Sequence, residues 1–112
     1  MNRKVLTGFA ILLLTFALSL LFLPASRADD AAGLYKTKCA MCHGPDGKGD
    51  TPTGKAMKVT DLSSADIQKK TDAQLTESLT NGKGKMTAFK GKLTDAQIKD
   101  LVAYVRELAK KK

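Results

Sequence analysis

Cys39-Ala40-Met41-Cys42-His43 holds both cysteines and the only histidine of the 112-residue chain within five positions. Two thiols three residues apart near a helix end face the same side. There they can each add to one vinyl group on neighbouring edges of a porphyrin, while the adjacent imidazole reaches the iron from the same face. The pattern is the signature of c-type haem attachment. A thiol–disulfide exchange site would not need histidine directly after the second cysteine. A zinc site wants four ligands, and these three would have to recruit a carboxylate.

The surrounding sequence is helical in pattern. Apolar residues recur at helical spacing, no run alternates as a strand does, and no repeat is visible. Upstream, a helix is expected from about Asp30 to Cys42, with Asp29 and Asp30 at its start and Ala31, Leu34 and Tyr35 on one side. Gly44-Pro-Asp-Gly-Lys-Gly-Asp-Thr-Pro-Thr-Gly54 is too rich in glycine and proline for regular structure and reads as a loop. Ser63 or Ser64 can cap a short helix carrying Ala65 and Ile67. Thr71-Asp-Ala-Gln74 and Thr94-Asp-Ala-Gln97 are capping boxes opening two more helices. The first has Leu75 and Leu79 inward and stops at Asn81-Gly82. The second carries Ile98, Leu101, Val102, Val105 and Leu108 on one face.

At the other end, Asn2, Arg3 and Lys4 precede an almost unbroken apolar run from Val5 to Leu23, and Pro24-Ala-Ser-Arg-Ala28 offers small residues to an export peptidase. Residues 1–28 are therefore expected to be a signal peptide cleaved after Ala28. The run of about 19 residues is also near the length of a membrane anchor, so contact with a membrane is expected only if residues 1–28 are retained. Residues 29–112 are expected to work outside the cytoplasm, in a periplasm or similar compartment, where thiols can be joined to haem.

The net charge is +8, and removing Arg3, Lys4 and Arg27 with the leader leaves +5. The lysines are scattered and no aromatic platform interleaves them, which argues against nucleic-acid binding. The remaining 84 residues have no tryptophan and few other aromatics, so their own core is small. A covalently bound cofactor would supply the staple such a domain needs.

The second axial position of the iron decides between carrier and enzyme. With no second histidine, methionine sulfur is the natural ligand. Met1 leaves with the leader, and Met41 lies between the haem cysteines and cannot reach the opposite face. Methionine is usually apolar filling. Met86, however, stands in the polar loop Gly82-Lys-Gly-Lys-Met-Thr-Ala-Phe-Lys-Gly91, with no apolar stripe to complete, and is the expected ligand. Met57, in Gly54-Lys-Ala-Met-Lys-Val59, is the competitor. An open position would instead permit gas sensing or haem-enzyme chemistry.

Over residues 29–112 the chain resembles the class I cytochromes c, small bacterial monohaem proteins. The likeness lies in Gly33-Leu-Tyr-Lys-Thr-Lys-Cys-Ala-Met-Cys-His-Gly44, in Met86-Thr-Ala-Phe89 and in Leu93-Thr-Asp-Ala-Gln-Ile-Lys-Asp-Leu-Val-Ala-Tyr-Val-Arg106. The resemblance implies an all-α fold of about four helices wrapped around one covalently bound haem c. It implies Cys39 and Cys42 as attachment sites, with His43 and Met86 on the iron. It also implies that the first and last helices cross beside the haem, Ala31 and Tyr35 meeting Leu101 and Tyr104. The family often has proline directly after the ligand methionine, where this chain has Thr87. A carbonyl, here assigned to Pro52, should accept the histidine's other proton.

The function so implied is the carriage of single electrons between extracytoplasmic or membrane redox proteins by a monomer that turns nothing over. A tethered subunit of an oxidoreductase is the related alternative. Leu34, Leu75, Leu79, Phe89, Leu93 and Leu101 are expected to wrap the haem. Lys83, Lys85, Lys90 and Lys92 ring the methionine loop; they read first as ordinary solvated lysines and, as the alternative, as a patch that steers an acidic partner.

Overall fold

The computed structural model describes residues 2–20 and 27–111, with side chains for 2–14 and 30–111. Of the expected peptidase site, Pro24, Ala25 and Ser26 lie outside the described residues. The N-terminal apolar run forms helix α1 (Arg3–Leu20) among the described residues, with Val5, Leu6, Phe9 and Leu12 exposed. Among the described residues no helix is long and apolar enough to cross a membrane.

Six helical segments follow, where four were expected. The first expected helix is two: α2 (Arg27–Lys38) begins upstream of Asp29, and α3 (Ala40–His43) follows a break at Cys39. At φ −120° and ψ −38°, Cys39 leaves the helical region and resets the axis, while its carbonyl still accepts from the Cys42 and His43 amides at 3.2 and 3.0 Å. The expected loop up to Gly54 also gives way early. Thr51 caps α4 (Pro52–Met57) by accepting from the Gly54 amide at 2.9 Å. Pro52 occupies the first turn, where its missing N–H costs nothing. Next comes α5 (Ala65–Gln68), with Ser64 at its N-cap making no side-chain cap bond.

Both capping boxes form. Thr71 opens α6 (Asp72–Asn81), with reciprocal bonds to Gln74 of 3.2 and 2.9 Å. Thr94 opens α7 (Asp95–Lys110), with bonds to Gln97 of 3.1 and 2.9 Å. The described residues contain no strand, only isolated bridges at Lys83–Met86 and Lys90–Leu93. The fold is all-α.

Helix α7 packs against both α2 and α6. Ile98 and Leu101 are its most deeply buried side chains, joined in the core by Tyr35, Leu75, Leu79 and Phe89. At the α2–α7 crossing the rings of Tyr35 and Tyr104 lie 4.9 Å apart, tilted by 43°. Ala31 is buried on the same helix as Tyr35. Arg106 of α7 reaches back to the α5–α6 junction, donating to the carbonyls of Gln68 and Lys70 and to Asp72. The two longest helices of residues 27–111 thus hold one end of the fold, leaving the shorter segments to shape a cavity beside them.

Candidate functional site

Helix α3 ends at the imidazole, so its last carbonyls have no helical partner ahead of them. The following loop curls back and fills the need. Thr51 Oγ1 donates to the Cys42 carbonyl at 3.0 Å, the Gly49 amide to that of His43 at 2.7 Å, and the Gly47 amide to that of Gly44 at 3.1 Å. The Tyr35 phenol adds a second bond to the Gly44 carbonyl, at 2.7 Å. Glycine is required at Gly49, at φ +74°, where a Cβ would sit 2.7 Å from Val59 Cγ2.

This turn opens onto a cavity of about 460 Å³ lined by Cys39, Cys42, His43, Met57 and Met86. The volume lies within the roughly 300–1,000 Å³ usual for small-molecule and cofactor sites. Its walls are apolar: Leu75, Leu79, Phe89 and Leu101, as expected, together with Leu62, Ile67, Val102 and Val105. Leu34 and Leu93 pack on the core behind it instead. Met41, three-quarters exposed, points away.

The two methionines arrive from different elements. Met57 is the last residue of α4, which packs against α3, the helix that carries His43. Met86 belongs to the connection after α6. That segment makes backbone bonds: the Met86 amide donates to the Lys83 carbonyl, and the Phe89 and Lys90 amides to those of Leu79 and Thr80, each at 3.0 Å. Its turn needs Gly82, where a Cβ would come 2.7 Å from the Met86 carbonyl.

Both cysteines are free thiols, Cys39 buried and Cys42 half-buried. Burial, helped by the neighbouring Cys42, pushes the Cys39 thiol up to about 11. Burial also holds His43 below its ordinary 6.5, so the imidazole is neutral and its lone pair available to a metal. Its Nδ1 is buried without a hydrogen-bond partner, so the expected bond to the Pro52 carbonyl is not formed. Lys38, Lys58, Lys70, Lys83 and Lys85 also line the cavity, and among the described residues no carboxylate does. Lys90 and Lys92, expected beside them, are absent from that lining.

The family model described as "Cytochrome C oxidase, cbb3-type, subunit III" matches residues 26–105. A cytochrome c6 of Leptolyngbya boryana is 40% identical over 86 residues, which cover 75% of this chain and 98% of that protein. A cytochrome c6 of Nostoc sp. is 39% identical over 103 residues, covering 90% and 86%. This chain belongs to the class I cytochromes c.

Among solved structures, the KustC0563 c-type cytochrome superposes with a TM-score of 0.64 at 34% identity, covering 70% of this chain and 95% of that one. The cytochrome is also 36% identical to the cbb3-type oxidase subunit FixP of Bradyrhizobium sp. over 97 residues, which make up 80% of this chain but only 31% of FixP. It is a small monohaem protein that carries single electrons on one covalently attached haem c. Two free thiols, a neutral imidazole with an unpartnered buried nitrogen and an apolar cavity suit that group. Sequence reading missed the walls supplied by Val59, Thr60 and Leu62, because their segment has too few residues for any period to show.

Proposed function

We propose that residues 29–112 form a monomeric extracytoplasmic carrier in which Cys39 and Cys42 bond the haem and His43 and Met86 hold its iron. The single observation that carries this reading is the convergence of both thiols, the only histidine and Met86 on one apolar cavity. When bound, haem c supplies a one-electron couple between ferric and ferrous iron. The chain's own residues set its environment. His43, the last residue of α3 beside α4, would hold the iron through its imidazole. Met86 comes from the separate segment after α6, which supports it over Met57, whose helix packs beside the histidine. With His43 and Met86 both holding the iron, no site would be left for oxygen or substrate, and the carrier would turn nothing over. The leucines and valines of the walls keep water out, which favours the ferrous form.

The five cavity lysines, with no carboxylate among the lining residues, suit a redox partner with an acidic docking surface. Residues 1–28 are proposed as the cleaved export signal. One observation favours a second reading, a tethered subunit: the same domain makes up about a third of the larger FixP chain. The intact mass of the purified protein separates the two, since tethering requires residues 1–28 to be present.

Met86→Ala and Met57→Ala test the ligand set. The first should abolish the iron–sulfur charge-transfer band of the oxidised protein and let the ferrous form bind carbon monoxide. The second should leave both unchanged. Loss of the band in Met57→Ala alone would reverse the assignment, and carbon monoxide binding by the unmodified protein would indicate a gas sensor or haem enzyme.

A further inference from the structure

Four donors anchor the peptide that follows the haem thiols, and three of them lie between Gly47 and Thr51, in the loop they secure. The Gly47 and Gly49 amides move with the loop, while Thr51 ties it to α4, which it caps, and the Leu62 amide holds the Gly47 carbonyl at 2.8 Å. The fourth is different. The Tyr35 phenol comes from α2, is 2% exposed, and donates to the Gly44 carbonyl at 2.7 Å. Its ring packs on Tyr104 of α7, and Tyr35 itself lines the haem cavity. Gly44 and Gly47 stand at φ +77° and +78°, and a Cβ on Gly47 would lie 3.6 Å from the phenol oxygen. The loop is therefore shaped closely around this hydroxyl. Burial raises the phenol above its ordinary 10.0, so it keeps its proton and remains a donor.

We propose that Tyr35 is a positioning residue for the iron-binding histidine, tying the Gly44–Pro45 peptide, one residue beyond His43, to the crossing of α2 and α7. The proposal rests on the reading of His43 as an iron ligand. Without the phenol, the Gly44 carbonyl keeps only its bond from the Gly47 amide, its tie to α2 is lost, and the imidazole gains freedom to draw back from the metal. Ferric iron, the harder acid of the two states, gains more from imidazole donation. A looser histidine therefore shifts the equilibrium toward ferrous iron.

The test compares the haem-loaded Tyr35→Phe and Tyr104→Phe proteins, each lacking one hydroxyl from the same ring pair. Tyr35→Phe should shift the ferric–ferrous equilibrium about threefold toward ferrous, roughly 28 mV at 59 mV per tenfold for one electron. It should also speed amide exchange at Gly47 and Gly49, while Tyr104→Phe changes neither. A Tyr35→Phe potential equal to that of Tyr104→Phe overturns the proposal, even if exchange is faster, because the phenol would then serve the fold alone. If Tyr35→Phe does not accumulate, 3-fluorotyrosine can be introduced into Tyr104→Phe, where Tyr35 is the one tyrosine left of two. The more acidic phenol is a stronger donor and should move the equilibrium toward ferric; no movement overturns the proposal. Hyperfine-shifted signals from the single histidine of the oxidised unmodified protein test the ligand reading by itself.

Discussion

Replacing Gly54 by alanine sets two effects of opposite sign against each other. Gly54 is the third residue of α4, and helix propensity alone favours alanine there by about 0.8–1.0 kcal/mol. Packing opposes it. The new Cβ would run into the Cys42 carbonyl oxygen and lie 2.6 Å from that of Gly49 and 2.9 Å from Thr51 Oγ1. Two of these three atoms are backbone, so they can yield only if α4 lifts from the Cys42 peptide. Overpacking of this kind costs about 1–3 kcal/mol, and a mid-range cost exceeds the helical gain; a net loss of about 1 kcal/mol lowers Tm by about 4–8 °C in a domain of this size. Thermal melting of the haem-loaded protein followed by far-ultraviolet circular dichroism reads the shift. Gly33→Ala supplies the contrast, because Gly33 lies in α2 with nothing within 4 Å of a new Cβ. It should gain about 0.5–1 kcal/mol and raise Tm. If Gly54→Ala also raises Tm, or leaves it unchanged, the contact between α4 and the Cys42 peptide is not as close as described.

Arg106→Ala should cost about 1–2 kcal/mol, because it strips donors from the Gln68 and Lys70 carbonyls. Asp72→Asn should cost under about 1 kcal/mol, since Asp72 is 76% exposed; equal Tm losses would show that the ion pair, not the carbonyl contacts, matters. Reversing the charge of Lys83 and Lys85 together should slow electron transfer with an acidic partner about tenfold at low salt, and the difference should fade near 1 M, where the screening length is about 3 Å. The same change at Lys90 and Lys92, outside the cavity lining, should do less, and an equal effect would dissociate steering from the haem site. The phenol of Tyr35 holds its proton in the fold above the pH at which it would lose it unfolded. Its contribution is therefore complete below about pH 10 and declines above it, by at most about 1.4 kcal/mol per pH unit. Denaturant melts at rising pH should show that slope, and Tyr35→Phe should flatten it.

The helix ends were legible because a capping box states both its partners in four residues: Thr71 with Gln74, and Thr94 with Gln97, bond as their spacing implies. The amphipathic stripe of α7 likewise names its own buried face, with Ile98, Leu101, Val102 and Leu108 all inward. Elements whose ends carry no such paired signal were less legible. Pro52 sits in a stretch dense with glycine and proline, where it reads as a breaker, yet one hydroxyl from Thr51 makes it the start of α4. The break at Cys39 leaves no trace in composition, since no glycine or proline marks it. The lysines show the same limit: charge can be counted along the chain, but which of Lys83, Lys85, Lys90 and Lys92 face the cavity depends on how the segment after α6 folds back.

The two sides of the proposed iron site are built unequally, and the inequality follows from chain topology. His43 lies one residue from buried Gly44, and the peptide carbonyls of residues 42–44 are engaged by Thr51, Gly49, Gly47 and Tyr35. Those donors crowd one short span, the one from which the proposed site would present both thioethers and the imidazole within five residues. Met86 has no such motif around it. Its backbone is fixed by one turn bond to Lys83, and the chain beyond it by two bonds to the end of α6. Thr87 also leaves it without the rigid proline usual in the family. A buried carbonyl with two donors is costly to release, whereas an exposed turn that loses one bond gains water in its place. The histidine side thus acts as the fixed reference of the proposed site and the methionine side as its adjustable wall. Strain from a variant such as Gly54→Ala, which pushes on the fixed side, should therefore spread through α4 and the loop before it reaches Met86.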